Sequence, residues 1–585
     1  MTLLLLIPLS LTQFSCAPTE KKPEDLALTA SHEEAERWAA DTLGSLTLEK
    51  KIGQMICEQM RGEYKAEDSQ DFQYLLELVR DHGVGAFVLY GGTPHNIASL
   101  LNRLQKESEI PLLVSSDFEG GPGQQITGAT EFPANMALSA IGSEEIAYEL
   151  GKAGAAEGRA VGIHLTYSPV VDIQTRPDNP VLSVRSFGKD LDLLGRMAGA
   201  YIRGYQENGM LATAKHYPGR GDVELIPGTE FTINNKTAEK VENEDFLAFK
   251  KAIDAGVTYI MSEHIAIPSV TNGSDLPASV EKTMATFWLR EKLGFTGILT
   301  TDDMWYKKVT DRFGPVEACV MAVEAGHDAV LKPANVPDVI AGLAEAVKSG
   351  RIPEDKIDAS VKKILYWKAR LNLHKNRFVD ENAISAAVGT QPHLKLAQKI
   401  ADDSLTLLKN DGFFPTSPEN IGSIVHISIQ KRDIDPSPKT VADKLAGSFD
   451  SLNTFFIRPF TSREVYSNAL NAVKKADTVI VSLFCQRNTY VDYGPLSKKN
   501  QEFLKDVFKT KSDRTVVMSY GNPYHVKDLG GAAAFAVGYG EGGFYGNQTI
   551  YADSFIKLLK GEMAPKGKLP VFISEAFPLG CGLAY

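Results

Sequence analysis

The 585-residue sequence contains no apolar run of the roughly 20 residues that a membrane-spanning helix needs. It has only five cysteines, and their spacing is not that of a metal site. It also lacks a basic block: 62 Lys and Arg face 73 Asp and Glu, for a net charge of −11. These shortages argue against an integral membrane protein, a cysteine-ligated metal site and a nucleic-acid partner, and they suit a neutral substrate better than a polyanion.

What the chain does contain is the composition of an ordinary soluble globular protein, with 43% apolar and 23% charged residues. Its first fifteen residues are apolar and end at Cys16, after which a polar tether begins. Residues 1–22 are therefore predicted to be a bacterial signal peptide and lipoprotein-type tether. We expect an exported periplasmic or outer-membrane lipoprotein that meets the membrane only through a lipid anchor at Cys16.

The remaining cysteines are scattered along the chain. Buried free thiols are the expected state, and a disulfide between distant ones stays open. They are Cys57, Cys319, Cys485 and Cys581.

A chain of this length is too long for one core and indicates several domains. Helical and strand patterns alternate over residues 33–373, which predicts an α/β fold of the TIM-like (β/α)8 barrel type. Residues 374–400 read as a polar linker, and 401–585 as a smaller C-terminal α/β sandwich domain.

The predicted elements follow from hydrophobic periodicity and from glycine, proline and capping residues. Barrel strands are expected at 83–92, 112–116, 165–170, 212–215, 259–262, 298–301 and 329–331. Helices are expected at 33–43, 48–56, 75–82, 190–207, 239–255, 334–349 and 355–373. In the second domain, apolar runs at 423–429, 477–484 and 514–519 alternate with helices at 439–446, 463–475 and 497–508.

Two adjacent carboxylates, Asp302 and Asp303, follow the predicted strand at 298–301. In a β/α barrel the C-terminal ends of the strands carry the chemistry, so this acidic pair is a candidate site. The alternative is that one of the two caps the next helix, since Asp is a preferred N-cap residue.

Polar residues also follow other predicted strands. Asp117 is placed to accept hydrogen bonds from vicinal sugar hydroxyls, although Asp before glycines also forms turns. Arg185 offers a planar donor fork or a structural ion pair. Lys215 and His216 combine a cation and an imidazole at a strand end, and His264 is either a site residue or a satisfied core histidine.

In this order and spacing, these motifs resemble glycoside hydrolase family three, most closely its exo-acting β-N-acetylglucosaminidases. The similarity runs from about residue 45 to 575. The motifs are Asp117-x-Glu-Gly-Gly, Arg185-Ser-Phe-Gly, Lys215-His-Tyr-Pro-Gly-x-Gly-Asp, Met261-x-x-His264, Thr301-Asp302-Asp303-Met304, Ala325-Gly326-x-Asp328, Ser404-x-x-Leu-Leu-Lys-Asn410 and Gly567-Lys568-Leu569-Pro570-Val571.

The resemblance implies a barrel followed by an α/β sandwich domain, and a retaining two-step hydrolysis without a metal or organic cofactor. Asp302 matches the family's nucleophile, and Asp303 stands where the family accepts a neutral residue. The residues implied to grip the terminal sugar are Asp117, Arg185, Lys215 and His216. A nucleophilic carboxylate must be ionised, which a nearby cation such as Lys215 would favour by lowering its pKa.

The chain departs from the family at the proton donor. The N-acetylglucosaminidases carry an Asp-x-His dyad on the loop after the Lys-His motif, and an ungapped match places Ile226 and Gly228 there. Arg220 replaces the first histidine of that loop, and Pro122 stands where an Arg would follow Glu-Gly-Gly.

The acid/base must therefore be another residue. Glu230, on the same loop, is the nearest substitute, and Glu224 is a second. The family's β-glucosidases place this glutamate on the second domain, where Asp492 and Glu541 are candidates. Each of these could also be a solvated surface carboxylate.

The sequence thus predicts a retaining exo-β-glycosidase that hydrolyses non-reducing terminal β-linked sugars of an oligosaccharide or glycoside. A β-N-acetylhexosaminidase acting on N-acetylglucosamine, from chitin-type or peptidoglycan fragments, fits the motifs best. The alternatives are a β-glucosidase or β-xylosidase, a transglycosylase or phosphorylase, and a catalytically decayed glycan-binding surface lipoprotein.

Overall fold

The computed structural model describes residues 30–176, 179, 181–223, 232–430, 435–484, 496–540 and 549–585. Two α/β units follow one another along the chain, each built around a mainly or wholly parallel sheet. Within these ranges no helix has both the length and the apolar character needed to cross a bilayer. The predicted fold class, a TIM-like barrel followed by a smaller α/β domain, is confirmed.

The first unit is an eight-stranded parallel barrel in which helices connect successive strands. Its sheet order is β10-β1-β2-β3-β4-β5-β7-β9, and a parallel bridge from Thr300 to Ala329 closes the ring. A two-stranded ribbon, β6 with β8, lies beside it. In chain order the strands are β1 (Ile56–Gly62), β2 (Ala86–Gly92), β3 (Leu113–Ser116), β4 (Leu165–Thr166), β5 (Leu211–Tyr217), β6 (Thr232–Ile233), β7 (Tyr259–Ser262), β8 (Ile265–Ala266), β9 (Ile298–Thr301) and β10 (Val330–Leu331).

The first barrel strand was not predicted. The helix expected over 48–56 ends at Gln54, and the chain then enters β1, which pairs with β2 and β10. Charged residues such as Glu58 and Arg61 obscure the apolar pattern of this strand. The side chain of Glu58 is nevertheless buried, because it lies against groups from other strands at the barrel mouth.

Helix starts in the first unit are set by side-chain caps. Ser31, Thr47, Ser69 and Asp190 each accept backbone N–H groups from the first turn of the helix that follows. The helices here are α1 (His32–Ser45), α2 (Leu48–Gln54), α3 (Gln70–Arg80), α4 (Pro94–Glu107), α5 (Asn135–Ile141), α6 (Glu144–Ala160), α7 (Leu191–Gln206), α8 (Ala238–Lys240), α9 (Leu247–Asp254), α10 (Lys307–Phe313), α11 (Pro315–Ala325), α12 (Val336–Lys348) and α13 (Glu354–Arg370), with π-helical turns at Val241–Phe246 and Met284–Lys292.

Residues 374–400, predicted as a linker, contain the short helix α14 (Ile384–Ala387) and most of α15 (Gln391–Ser404). The apolar residues Ala397, Ile400 and Ala401 lie on one face of α15 and are buried. His393 on the same helix pairs with the buried Glu157 of α6 at 2.7 Å. This segment is therefore packed against the barrel unit, because its apolar spacing is that of an amphipathic helix.

The second unit has the sheet order β11-β16-β15-β14-β12-β13, in which β11 is antiparallel to β16 and the other pairs are parallel. Of its strands, β11, β13 and β16 were not among the predicted apolar runs. The elements are β11 (Thr406–Asn410), α16 (Pro418–Ile421), β12 (Ile424–Gln430), α17 (Ser437–Ala446), β13 (Leu452–Ile457), α18 (Arg463–Val473), β14 (Thr478–Phe484), α19 (Lys498–Lys511), β15 (Thr515–Ser519), β16 (Ala534–Val537) and α20 (Ile550–Leu559).

Candidate active site

The predicted site residues come from the carboxyl ends of four barrel strands. Asp302 directly follows β9, and Lys215 and His216 lie at the end of β5. Asp117 directly follows β3, and His264 follows β7. Parallel strands in a barrel end on the same face, so one cavity mouth receives all of these side chains.

Asp302 is buried and paired with Arg220. The Nη2 atom of Arg220 lies 2.8 Å from the Oδ2 atom of Asp302, and the same nitrogen contacts the carboxylate of Glu263. The backbone N–H of Asp303 donates to Oδ1 of Asp302 at 2.7 Å. Burial pushes the pKa of Asp302 upward, but Arg220 and His264 outweigh it, so that the pKa is lowered and the carboxylate is ionised at neutral pH.

The glycine-rich loop after β5 is shaped to bring Arg220 to this position. Gly219 adopts a φ of 132°, and a Cβ atom there would lie 2.7 Å from Oδ1 of Asp245. A Cβ atom on Gly221 would collide with the backbone carbonyl of Ile173. The loop can therefore lie flat against its neighbours only if both flanking residues are glycines.

The buried carboxylate of Asp172 ties the two ends of the same loop together. It accepts from the backbone N–H of His216 and, at 2.8 Å, from the backbone N–H of Arg220. Its Oδ2 atom also lies 2.8 Å from Nδ1 of His216. This contact favours the tautomer of His216 with the proton on Nδ1 and the acceptor lone pair on Nε2.

Lys215 lies within a row of four alternating charges. Its Nζ atom is 2.7 Å from both Asp117 and Glu119, and Glu119 accepts from Nε and Nη2 of Arg185 at 2.5 and 2.6 Å. Burial lowers the pKa of Lys215, but the two carboxylates outweigh it and the pKa is raised. Asp117 is the member most open to a ligand, with 23% of its side chain exposed against 4% for Lys215.

Arg185 and His264 are both held by protein partners. Besides its bonds to Glu119, Arg185 donates from Nη1 to the carbonyl of Val181 at 3.2 Å. His264 contacts Oγ of Ser279 through Nδ1 and the carbonyl of Asp303 through Nε2. A carbonyl can only accept, so Nε2 carries the proton, and burial lowers the pKa of His264 to about 4. This is the geometry of the core-histidine alternative.

Asp303 belongs to a second cluster at the same mouth. Its Oδ2 atom is 2.7 Å from Nζ of Lys332, at the end of β10, and 3.3 Å from Nε1 of Trp305. Burial and the charge of Asp302 raise the pKa of Asp303 to about 6, against the opposing effect of Lys332. Burial also raises the pKa of Glu58, on β1, to about 7, with Lys332 acting in the opposite direction.

The aromatic ring of Tyr90, on β2, lies close to charged groups of both clusters. Burial and the charges of Asp117, Asp303 and Asp302 raise its pKa well above the ordinary range, so its hydroxyl is a proton-bearing group at the mouth. The Nζ atom of Lys332 lies 5.0 Å from the ring centroid of Tyr90 and 5.4 Å from the ring centroid of Trp305.

Sequence reasoning did not single out several of these groups as site residues. Arg220 was noted only as a replacement, and Glu119 only as a motif letter, although a charged residue between glycines at a strand end was a usable signal. Glu58, Tyr90, Asp172 and Lys332 carried no local signal, because their partners lie on strands distant in sequence.

The proposed acid/base residues lie outside the described residues. They are Glu230, Glu224, Asp492 and Glu541, together with Ile226 and Gly228 at the positions of the missing dyad. Cys16, the signal segment and Cys485 also lie outside, whereas Cys57, Cys319 and Cys581 are free thiols.

Comparison with known proteins points to the same chemistry. A curated relative, a β-N-acetylglucosaminidase/β-glucosidase of Cellulomonas fimi, is 28% identical over 402 residues, 67% of this chain and 70% of its own.

Two solved structures resemble nearly the whole chain. A glycoside hydrolase family 3 β-N-acetylglucosaminidase from Paenibacillus sp. str. FPU-7 matches with a TM-score of 0.79 and 26% identity, covering 91% of this chain and 99% of that one. A β-glucoside phosphorylase matches with a TM-score of 0.80 and 27% identity, covering 95% and 99%.

The family model for the glycosyl hydrolase family 3 N-terminal domain matches residues 47–366, which span the barrel and more than half of the chain. With the barrel, the rim carboxylate and these relatives in agreement, the chain belongs to glycoside hydrolase family 3 and is a glycoside hydrolase.

Proposed function

We propose that the protein is a retaining exo-β-glycosidase in which Asp302 is the nucleophile. The observation that carries the proposal is a buried carboxylate, at the carboxyl end of the barrel strand β9, whose pKa is lowered by its cationic surroundings. An ionised oxygen in a site with little water is a strong nucleophile toward an anomeric carbon.

In the first step an oxygen of Asp302 bonds to the anomeric carbon while the bond to the leaving oxygen breaks and that oxygen takes up a proton. In the second step water attacks the same carbon and gives a proton to the group that protonated the leaving oxygen, while the electron pair of the ester bond returns to Asp302. The transition states resemble an oxocarbenium ion, so positive charge develops at the sugar ring. The negative charge of Asp302, and that of the ion-paired carboxylates around it, stabilises this positive charge.

We assign the grip on the terminal sugar to Asp117, Lys215, His216 and Arg185. Asp117 accepts from hydroxyl groups while Lys215 and His216 contact neighbouring oxygens. These contacts lower the barrier to the extent that they tighten as the ring flattens. His264 is assigned a positioning role, because its Nε2 proton is used by the backbone carbonyl of Asp303.

For the proton donor we propose Glu230. It stands two positions after Gly228, where an ungapped match places the family's acid/base histidine. Glu224, Asp492 and Glu541 are the alternatives. For each of them, the alanine variant of that residue would be the one whose activity azide restores.

The sugar we propose is N-acetylglucosamine in β linkage. The support is the Lys-His-Tyr-Pro-Gly-x-Gly-Asp motif together with the names of the relatives, β-N-acetylglucosaminidase among them. The Cellulomonas fimi relative is named for both sugars, so β-glucoside is the second candidate. The apolar run before Cys16 supports export as a lipoprotein, which globomycin-sensitive processing in a bacterial host would test.

The test of the function is a panel of aryl β-glycosides with an activated leaving group: the N-acetylglucosaminide, the glucoside and the xyloside. Such leaving groups need little protonation, so Asp302 should release the aryl oxide even where acid help is weak. Asp302→Ala should abolish release, while Asp311→Asn, an exposed aspartate on α10, should leave the rate unchanged. Binding without release from any substrate would instead support a glycan-binding protein.

The proton donor is tested separately on unactivated oligosaccharides. Glu230→Ala should lose activity on these oligosaccharides. On aryl glycosides, azide should restore turnover of this variant and form the β-glycosyl azide. Glu239→Ala, an exposed glutamate further along the chain, serves as the matched control. Unchanged hydrolysis of natural glycans by Glu230→Ala would assign the acid to one of the alternatives.

A further inference from the structure

Two buried carboxylates share the guanidinium of Arg220 at the mouth of the barrel. The Nη2 atom of Arg220 is 2.8 Å from Oδ2 of Asp302, and it also contacts Oε2 of Glu263, the residue that directly follows β7. Asp302 is buried, and only 3% of the Glu263 side chain is exposed. One cation therefore faces two carboxylates, of which our mechanism uses only Asp302.

The side chain of Glu263 is held in place by the backbone around it. Its Oε1 atom accepts from the backbone N–H of His264 at 2.8 Å, and its own backbone N–H donates to the carbonyl of Tyr217 at 2.7 Å. Its Oε2 atom contacts Arg220 and accepts no hydrogen bond from any other described residue. This oxygen of the carboxylate is therefore directed at Arg220.

The charges of this group change when the sugar is transferred to the enzyme. In the free enzyme Arg220 is balanced by two carboxylates, whereas in the glycosyl ester Asp302 is neutral. An ester oxygen is a much weaker partner for a guanidinium than a carboxylate is. Without a second carboxylate, ester formation would leave a buried guanidinium without a counter-ion, which costs free energy. Asp303 does not supply that counter-ion, because its carboxylate is paired with Lys332 at 2.7 Å.

We propose that Glu263 is a positioning residue that holds the guanidinium of Arg220 while Asp302 forms the glycosyl ester. Glu263 retains the cation as the negative charge of Asp302 disappears, so it lowers the barrier to the first half-reaction. In the second half-reaction the carboxylate of Asp302 forms again, and Glu263 competes with it for Arg220. The same side chain therefore opposes hydrolysis of the ester. The proposal rests on the proposed function, since it requires Asp302 to be the nucleophile.

The experiment separates the two half-reactions in the full chain. An activated glycosyl fluoride with a second fluorine on the sugar ring slows both of them, so that loss of activity reports formation of the ester and recovery of activity reports its hydrolysis. Glu263→Gln should slow ester formation by about tenfold or more, since it removes one charge-assisted contact. Hydrolysis of the ester by this variant should be as fast as in wild type or faster.

The contrast between the two rates distinguishes this role from others. A residue that only supports the fold would slow both half-reactions when it is replaced. A residue that acted only by stabilising the oxocarbenium ion would also slow both, because both transition states carry that positive charge. Only a counter-ion that Arg220 gains as Asp302 is esterified is expected to favour one half-reaction and oppose the other.

The matched control is Glu281→Gln. Glu281 is also buried, but it accepts from Oγ of Ser274 and from the backbone N–H of Thr283, so its replacement should leave both rates unchanged. Glu263→Asp keeps the charge but withdraws it from Arg220 by one methylene, and its rate of ester formation should lie between those of wild type and Glu263→Gln. Where Glu263→Gln fails to fold, as seen by circular dichroism, Glu263→Asp decides by the same contrast.

The outcomes separate this proposal from the proposed function. Equal slowing of both half-reactions by Glu263→Gln, or no change in either, overturns the role of Glu263 and leaves the glycosidase intact. No ester formation and no release of aryl oxide by the wild-type chain overturns the glycosidase and the role of Glu263 together. Slower ester formation with hydrolysis that is not slowed supports both.

Discussion

Two clusters share the mouth of the barrel, and each contains one of two consecutive aspartates. The Asp302 cluster (Asp302, Arg220, Lys215 and His264) is rich in donors and lowers the pKa of its carboxylate. In the Asp303 cluster (Asp303, Lys332, Glu58 and Trp305), burial and the charge of Asp302 outweigh Lys332 and raise the pKa of Asp303 to about 6. The comparison teaches that the partners of a carboxylate, and not its place in the chain, determine its chemistry.

The difference arises because the two side chains leave the end of β9 toward different neighbours. Asp302 contacts Arg220 on the loop after β5, whereas Asp303 contacts Lys332 at the end of β10. The first environment favours a charged nucleophile at neutral pH. The second favours a carboxyl group that exchanges its proton close to pH 6.

The largest expected effect is on activity. Asp302→Asn should lower kcat for an activated aryl glycoside by at least about a thousandfold, because it removes the only nucleophile in our mechanism. Asp303→Asn should keep kcat within about tenfold of wild type, because in our mechanism Asp303 forms no bond to the sugar and acts only through its charge. Steady-state kinetics of the two variants measure the contrast, and equal losses would break the comparison.

The next effect concerns stability of the Asp302 side of the mouth. Arg185→Met leaves the buried Glu119 with Lys215 as its remaining close cation, and should lower the free energy of unfolding by about 3 kcal/mol. Arg351→Met breaks a comparable bidentate contact with Glu317 at the surface and should cost under about 1 kcal/mol. Urea denaturation of both variants gives the comparison, and similar losses would contradict it.

The Asp303 cluster predicts a free energy of unfolding that falls as pH rises. The pKa of Glu58 rises from the ordinary 4.5 to about 7 on folding, so the folded chain holds more protons than the unfolded one between these values. Stability from this residue is therefore lost as pH rises through about 7. Glu58→Gln should raise the free energy of unfolding at pH 8 by on the order of 1–2 kcal/mol and leave it unchanged near pH 4.

A matched control for Glu58→Gln is Glu63→Gln, which removes an exposed glutamate just beyond the same strand. It should leave the pH dependence of unfolding unaltered. A stabilisation by Glu58→Gln that is the same at pH 4 and pH 8 would show that charge burial is not its cause.

The smallest effect tests the hydrogen bond from Trp305 to Asp303. Trp305→Phe keeps an aromatic ring near Lys332 but removes the Nε1 donor, which is 3.3 Å from Oδ2 of Asp303. We expect a further rise in the pKa of Asp303 and a change in the free energy of unfolding below about 1 kcal/mol. The pH dependence of unfolding measures both, and a lowered pKa would contradict the assigned contact.

Much of the fold could be predicted from local pattern. The strands at Tyr259–Ser262 and Ile298–Thr301 have the predicted bounds, because short apolar runs bounded by glycine and polar residues are strong signals. β1 was missed because it contains two charged residues, Glu58 and Arg61, and the side chain of Glu58 is buried only after barrel closure. The helix α15 was missed as an ordered element because its apolar face becomes significant only when α5 and α20 cover it.

The sequence by itself determined the barrel, the order of its motifs and the place of Asp302 at a strand end, since these depend on residues close together in the chain. Only the tertiary structure decided which charges meet there. Arg220 reaches Asp302 across 82 positions, and Lys332 reaches Asp303 across 29. Such contacts depend on how the closed barrel orients its strand ends, and no local pattern of residues encodes that geometry.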